Sequence, residues 1–348
     1  MGVRKAGQGS DGVLKNLDYG VRLRTRRLTL FCALYGLLAG QPFIAAGREF
    51  TVLAYNVENL FDLDGIALDK DYAIATEPGK FAYTPEKLLT KLRNITRILA
   101  EFNEGRGPEI VCFQEFEYDR TPASSVGDWD AFLMYWAGTS VENMLTKELT
   151  ESILGLPVEA FLFKHLEDEG LRGYRVVKPP PGDSGSKPAQ NNVVFTKFPV
   201  TYFKVHPTRR ARDILEVGVD IEGSEVIIFN NHWKSGASSS NTESIRVENA
   251  GVLRRRLDAL LEENPRADII IAGDLNSHYN QDEVLTEVAR AGITDVLGSQ
   301  GDEKAIRRPG GPDLYNLWYE LPPQDRRSDA WRGSWGTLMH ILLTPRPL

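Results

Sequence analysis

Ile269-Ile270-Ile271-Ala272-Gly273-Asp274-Leu275-Asn276-Ser277 is a continuous apolar run that ends in a glycine, a carboxylate and an amide. A short apolar run bounded by turn residues reads as a buried strand, here Asp268 to Ala272. Its polar tail stands at the carboxyl end. Three other stretches share this form. Phe50 to Asn56 runs out into Asn56-Val57-Glu58-Asn59, Glu109 to Gln114 ends in Gln114-Glu115, and Val226 to Asn230 ends in Asn231-His232-Trp233-Lys234-Ser235. Four strands thus deliver carboxylate, amide or imidazole at the same end, where a rigid backbone can converge them into one site.

Around these four the chain reads as strands mixed with helices. Thr84-Pro85-Glu86 is a cap, a proline and an acid, a helix opening, and Leu88, Leu92, Ile95 and Leu99 continue it at helical spacing to about Asn103. Tyr118 to Leu156 reads as an insertion, with Trp129 and Trp136 as local packing. A helix follows over Pro157 to Asp168, then a strand over Tyr174 to Lys178. The run from Pro179 to Gly185 is a loop by composition. Strands are expected over Asn192–Thr196, Val200–Val205 and Ile214–Ile221, helices over Thr242–Glu263 and Asp282–Ala291, a loop over Arg307–Pro312 and a final strand over Thr337–Leu343. Arg254-Arg255-Arg256 reads as a solvated helix face. Helices early and late with strands bunched between them predict an α+β fold of two packed sheets with helices outside.

The 348 residues, 42% of them hydrophobic, suffice for one large core without covalent staples. That excludes a disordered chain and a disulfide miniprotein. Arg22, Arg24, Arg26 and Arg27 precede an apolar stretch, Leu28 to Ala39, which Gly40-Gln41-Pro42 breaks before Ala45-Ala46-Gly47. This pattern predicts an export signal over residues 1–46, a folded domain over 47–348, a periplasmic or secreted protein and no stable membrane insertion after cleavage. Residues 1–46 hold seven Lys/Arg and two Asp/Glu, so 34 basic and 46 acidic residues remain, a net charge of −12. Such a chain has no general attraction for polyanions. Cys112 is then the only cysteine and reads as a buried small hydrophobe.

Glu58, Glu115 and Asp274, with the amide oxygens of Asn56 and Asn276, are hard ligands that suit Mg²⁺, Mn²⁺ or Ca²⁺. Zinc spacing of Cys and His is absent. Phosphate-ester hydrolysis needs such an ion and donors for developing charge, for which His232, Asn276 and Asn192 are the residue types at hand.

Ala54-Tyr55-Asn56-Val57-Glu58-Asn59-Leu60-Phe61, Phe113-Gln114-Glu115, Asn231-His232-Trp233-Lys234 and Gly273-Asp274-Leu275-Asn276, in this order, resemble the endonuclease/exonuclease/phosphatase superfamily, and within it bacterial extracellular nucleases. The resemblance covers residues 50 to 344. It implies the DNase I-like fold, a four-layer α/β/β/α sandwich with two mixed sheets face to face. It assigns Glu115 as the principal metal carboxylate, supported by Asn56 and Glu58. It assigns His232 to the phosphate and leaving group, Asp274 to the attacking water, and Asn276 to phosphate and metal. Asn192, Asn231 and Lys234 fall to substrate binding. Met339 departs from the pattern, standing where the family carries Asp, and no Ser-Asp-His follows that strand, so a truncated carboxyl terminus is expected.

The resemblance implies an exported monomeric hydrolase, dependent on Mg²⁺ or Mn²⁺ with Ca²⁺ as a third candidate, that cleaves DNA or RNA. Two alternatives stand beside it: a phosphoesterase acting on a phospholipid or other small phosphoester, and a catalytically impaired binding descendant.

Overall fold

The computed structural model describes residues 20–23, 49–66, 83–121, 124–181, 189–302 and 313–344. The expected cleavage region and the Arg307–Pro312 loop lie outside them. A first sheet holds β1 (Gly20–Leu23), β2 (Phe50–Leu60), β3 (Ile110–Glu117), β4 (Arg175–Val177) and β5 (Gln190–Thr196), in the order β1-β2-β3-β5-β4. β1 falls within the expected leader and pairs antiparallel with the start of β2. A second sheet holds β6 (Val200–His206), β7 (Ile214–Ile221), β8 (Ser224–His232), β9 (Asp268–Asp274), β10 (Ser299–Gln300), β11 (Leu314–Asn316) and, beyond a small hairpin of β12 (Asp329–Trp331) and β13 (Ser334–Gly336), β14 (Met339–Leu343). Its order is β10-β11-β14-β9-β8-β7-β6. Both sheets are mixed: β2 runs parallel to β3 and β8 parallel to β9, while the flanking pairs β3–β5 and β14–β9 are antiparallel.

The alternation of side chains along a strand assigns the layers. Val52, Ala54, Ile110, Cys112 and Val194 face inward against Leu215, Val217, Val226, Ile228, Ile270 and Ala272 of the second sheet. The residues between them, Leu53, Tyr55, Val111, Phe113, Val193 and Phe195, turn outward against helices. Those helices are α1 (Pro85–Leu99), the insertion's short α2 (Trp129–Tyr135), α3 (Val141–Thr146) and α4 (Glu151–Leu154), and α5 (Val158–Asp168). On the far face Ile227, Phe229, Ile269 and Ile271 pack on α6 (Ser240–Glu263) through Ala250, Leu253, Leu257 and Leu260. The result is the four-layer sandwich, in which each fully buried Leu or Ile contributes about 1.5–3 kcal/mol. Burial pushes the Cys112 thiol up to about 12, in keeping with a packing role.

Thr84 caps α1, its hydroxyl accepting from the Lys87 N–H at 3.2 Å, and Pro85 fills the first turn. Trp129 packs edge-on against Phe163 of α5. Two expectations are corrected. The helix read over Asp282–Ala291 is only α7 (Gln281–Val284). Farther on, Gly292 lies against α6, where a Cβ would sit 2.9 Å from the Arg246 carbonyl oxygen. Arg256 is no solvated charge: it makes two hydrogen bonds, of 2.8 and 2.7 Å, to the fully buried Glu216 of β7. Among the described residues no helix is long and apolar enough to cross a membrane.

Candidate active site

The four polar tails meet at the carboxyl ends of β2, β3, β8 and β9, where the two parallel strand pairs face each other across the core. The backbone is irregular at this point. Gln114 pairs with Asn192 and Phe116 with Asn191, which leaves Glu115 as an extra residue in β3. Asn56 pairs with Gln114 and Leu60 with Phe116, so Val57 to Asn59 bulge from β2 at the same place. A bulge re-aims a side chain off the regular alternation, and here it presents Glu115 at the strand end. Glu58, Asn59, Glu115 and Asn276 have φ of 53°, 64°, 67° and 46°, four of the nine left-handed non-glycine residues described. Such conformations cost about 1–3 kcal/mol each and gather at functional sites.

Gly273 supplies the other local requirement. Its φ is +126°, and a Cβ there would lie 2.1 Å from the Asn231 carbonyl oxygen. Only glycine lets β8 and β9 stay in register, with His232 opposite Asp274. Asp274 is then fixed by the Asn276 N–H, which donates to its Oδ1 at 2.9 Å.

Asn56 joins the sheets. Its Nδ2 donates to Glu115 Oε1 at 3.0 Å and to Asp274 Oδ2 at 3.1 Å, and its Oδ1 accepts from the Glu58 N–H at 2.9 Å. The Asn59 N–H holds the other Glu115 oxygen at 3.0 Å. His232 Nε2 stands 3.7 Å from both Glu115 Oε1 and Asp274 Oδ2. Burial, with the positive Arg212 in range, depresses the His232 pKa well below its ordinary value, so the imidazole is neutral. Burial, with the nearby Glu115 carboxylate, raises Asp274 to about 7 against the hydrogen bonds from Asn276 and Asn56.

The structure thus brings together Asn56, Glu115, His232, Asp274 and Asn276. Glu58 reaches the site through its main chain: its carbonyl, like that of Val57, accepts from Lys91 Nζ at 2.9 Å, while the residue is exposed. Asn192 is buried beneath the site, its Nδ2 donating to the Asp213 carbonyl at 2.8 Å. Asn231 is not brought to the site. Strand alternation turns it to the opposite face from His232, where its amide bonds the Phe229 carbonyl and accepts from Trp233 Nε1. Lys234 is tied by its N–H to Asn249 Oδ1 at 3.3 Å.

Three features go beyond the reading of the sequence. Arg212, in the β6–β7 connection, donates to Gln190 Oε1 at 3.1 Å, and Gln190 donates to Asn59 Oδ1 at 2.5 Å, so its charge is wired to the bulge. Lys91 reaches the bulge from α1. Beyond the bulge, Asp62, Asp64 and Glu117 bring carboxylate oxygens within 4.8 Å of one another, a further group able to hold a cation. Burial and the neighbouring carboxylate raise Asp62, and burial raises Glu117 to about 8.

Met339 pairs in register with Asp274, so the departure from the family pattern lies beside the site. His340 next to it is structural: its Nε2 lies 2.8 Å from the Ser277 carbonyl and its Nδ1 3.1 Å from Asn316 Nδ2.

Residues 187–346 match the model of the Endonuclease/Exonuclease/phosphatase family. No curated protein matches the sequence significantly. Among solved structures, the chain is similar to an endonuclease/exonuclease/phosphatase family protein from Leptotrichia buccalis C-1013-b, at 13% identity over 74% of this chain and 82% of that one, with a TM-score of 0.44. It is also similar to D. rerio TDP2 complexed with a single-strand DNA product (14% identity, 73% and 76% covered, TM-score 0.40). A third is the human Nocturnin catalytic domain with bound sulfate (14%, 73% and 75%, 0.37). The two mixed sheets in an α/β/β/α sandwich have the DNase I-like architecture, and residues 187–346, just under half of the chain, match the endonuclease/exonuclease/phosphatase family.

Proposed function

We propose that this protein is an exported, divalent-metal-dependent phosphodiesterase, with DNA or RNA as substrate. The observation that carries the reading is the Asn56 amide bridging Glu115 and Asp274 beside the neutral His232.

The donor set fits a divalent ion. Glu115 and Asp274 are two carboxylates whose described ion pairs are only to His232, which carries no charge. Glu115 would hold the ion, and Asn56 and Glu58 lie next to it on β2. When bound, the ion supplies Lewis-acid polarisation of the phosphoryl oxygen.

The chain's own groups do the rest. Asp274, with a pKa of about 7, takes a proton from the attacking water and is held by the Asn276 N–H while it does so. His232 remains neutral and donates a hydrogen bond to a non-bridging phosphoryl oxygen, a fixed dipole in a dry site. Arg212 and Lys91 add positive charge at the rim. The basic stretch, apolar stretch and small-residue end over residues 22–47 support export.

Calorimetric titration of Mn²⁺ into wild type and Glu115→Ala tests the metal assignment: one site in the first and loss of it in the second is the expected result. Digestion of plasmid DNA and RNA, set against a small phosphodiester, tests the substrate class. Cleavage of the small ester alone would favour the small-phosphoester reading, with which a net charge of −12 agrees.

A further inference from the structure

Arg246 of α6 is fully buried, and its guanidinium is spent on a loop. Nη1 donates to the carbonyls of Lys234 at 3.2 Å and Gly236 at 3.0 Å and to Thr242 Oγ1 at 2.9 Å, and Nη2 donates to the Ser239 carbonyl at 3.2 Å. Nε bonds Glu243 Oε2 at 2.8 Å, and Nη2 lies 2.6 Å from the same oxygen. This loop begins immediately after His232 and Trp233.

Glu243 carries the connection onward. Its Oε2 also accepts from Gln281 Nε2 at 3.1 Å, and its Oε1 accepts from the Gly292 N–H at 2.8 Å. Gln281, also fully buried, donates to the Ala237 carbonyl at 2.8 Å, and its Oε1 accepts from the His278 N–H at 2.7 Å. His278 ends the turn that carries Asp274 and Asn276. The Arg246–Glu243–Gln281 cluster therefore fastens the loop after β8 to the loop after β9. Between the loops only two direct bonds are described near the site: Trp233 N–H to the Asp274 carbonyl at 2.9 Å, and Asn276 Nδ2 to the Trp233 carbonyl at 3.3 Å.

A buried ion pair is a weak source of stability, because desolvation offsets its attraction and apolar residues of the same volume often do as well. A guanidinium, however, places carbonyls at fixed angles, which an apolar side chain cannot do. We propose that Arg246 is a positioning residue, which through Glu243 and Gln281 sets His232 against Asp274 for phosphoester hydrolysis. The inference rests on the function proposed above.

The test compares the wild-type chain with Arg246→Lys and Gln281→Met. Hydrogen exchange is followed by mass spectrometry over 233–240 and 274–281, and kcat and KM are measured for bis(p-nitrophenyl) phosphate with Mn²⁺. Cooperative melting shows that each variant folds. The expected result is exchange faster by about tenfold or more in both loops, with peptides over 52–55 unchanged. With it comes a kcat lower by about ten- to a hundredfold and KM within about threefold of wild type. Should Arg246→Lys fail to fold, Gln281→Met, which leaves the ion pair intact, decides. A folded variant with wild-type exchange in both loops, or with loosened loops and unchanged kcat, overturns the proposal. Wild type that shows no turnover overturns the function instead, and the exchange measurement still decides whether the cluster locks the two loops.

Discussion

Replacing Asp274 with Asn removes the carboxylate that takes the proton and, by the same physics, stabilises the fold at neutral pH. Burial raises Asp274 from 3.8 to about 7. Its side chain is only 11% exposed, so solvent screens little of this. Between about pH 4 and pH 7 the folded chain holds a proton at Asp274 that the unfolded chain has released, so stability falls as pH rises through that window. At ~1.4 kcal/mol per pH unit the cost at pH 8 approaches ~4 kcal/mol. Asn avoids that cost. It keeps an oxygen for the Asn276 N–H but presents one acceptor fewer to Asn56 Nδ2, a loss of ~1–2 kcal/mol. Asp274→Asn is therefore expected to be inactive and more stable than wild type by about 2–3 kcal/mol at pH 8, with the gain near zero at pH 5. Urea unfolding with a chelator present, at both pH values, measures this. A variant no more stable than wild type at pH 8, or equally favoured at pH 5, would refute the reasoning.

Two further predictions concern charge elsewhere. Arg256, His206 and Tyr202 hydrogen-bond Glu216 and depress it to about 2. Its stabilisation, about 3 kcal/mol, is thus complete above about pH 4.5 and lost as pH falls towards 2. Glu216→Gln should cost about that much at pH 7, and the gap should close in acid; a pH-independent gap in urea midpoints would count against it. Lys178, between the buried carboxylates of Asp119 (3.1 Å) and Glu159, leaves both uncompensated when replaced. Lys178→Met should cost about 3–5 kcal/mol, and Glu159→Leu in the same chain should recover part of it, both read by thermal melting.

Most of the architecture was legible because each buried strand is a short apolar run with period-two faces, and Thr84-Pro85 marks a helix start in local chemistry. The clustering of Asn56, Glu115, His232, Asp274 and Asn276 was legible because polar residues at strand ends share one rim. Asn231 was misplaced because a motif is contiguous in sequence while strand neighbours face opposite ways. The Asp282–Ala291 helix stops at Val284, and Gly292 beyond it packs on α6, a contact between segments far apart in sequence that periodicity does not show. Arg212 and Lys91 could not be read for the same reason: each meets the bulge only in three dimensions, and neither stands in an apolar strand's tail. Glu117 does stand at the end of β3 and Asp62 just past the end of β2, but their meeting with Asp64 shows only in the fold.

The most direct test of the central claim is hydrolysis of bis(p-nitrophenyl) phosphate by protein starting at Gly47. It is measured with Mn²⁺, with chelator, and in Glu115→Ala and Asp274→Ala. Turnover that requires the ion and falls by at least about a hundredfold in both variants is the predicted result. Folded wild type without turnover under any divalent ion, or turnover indifferent to both substitutions, would contradict it.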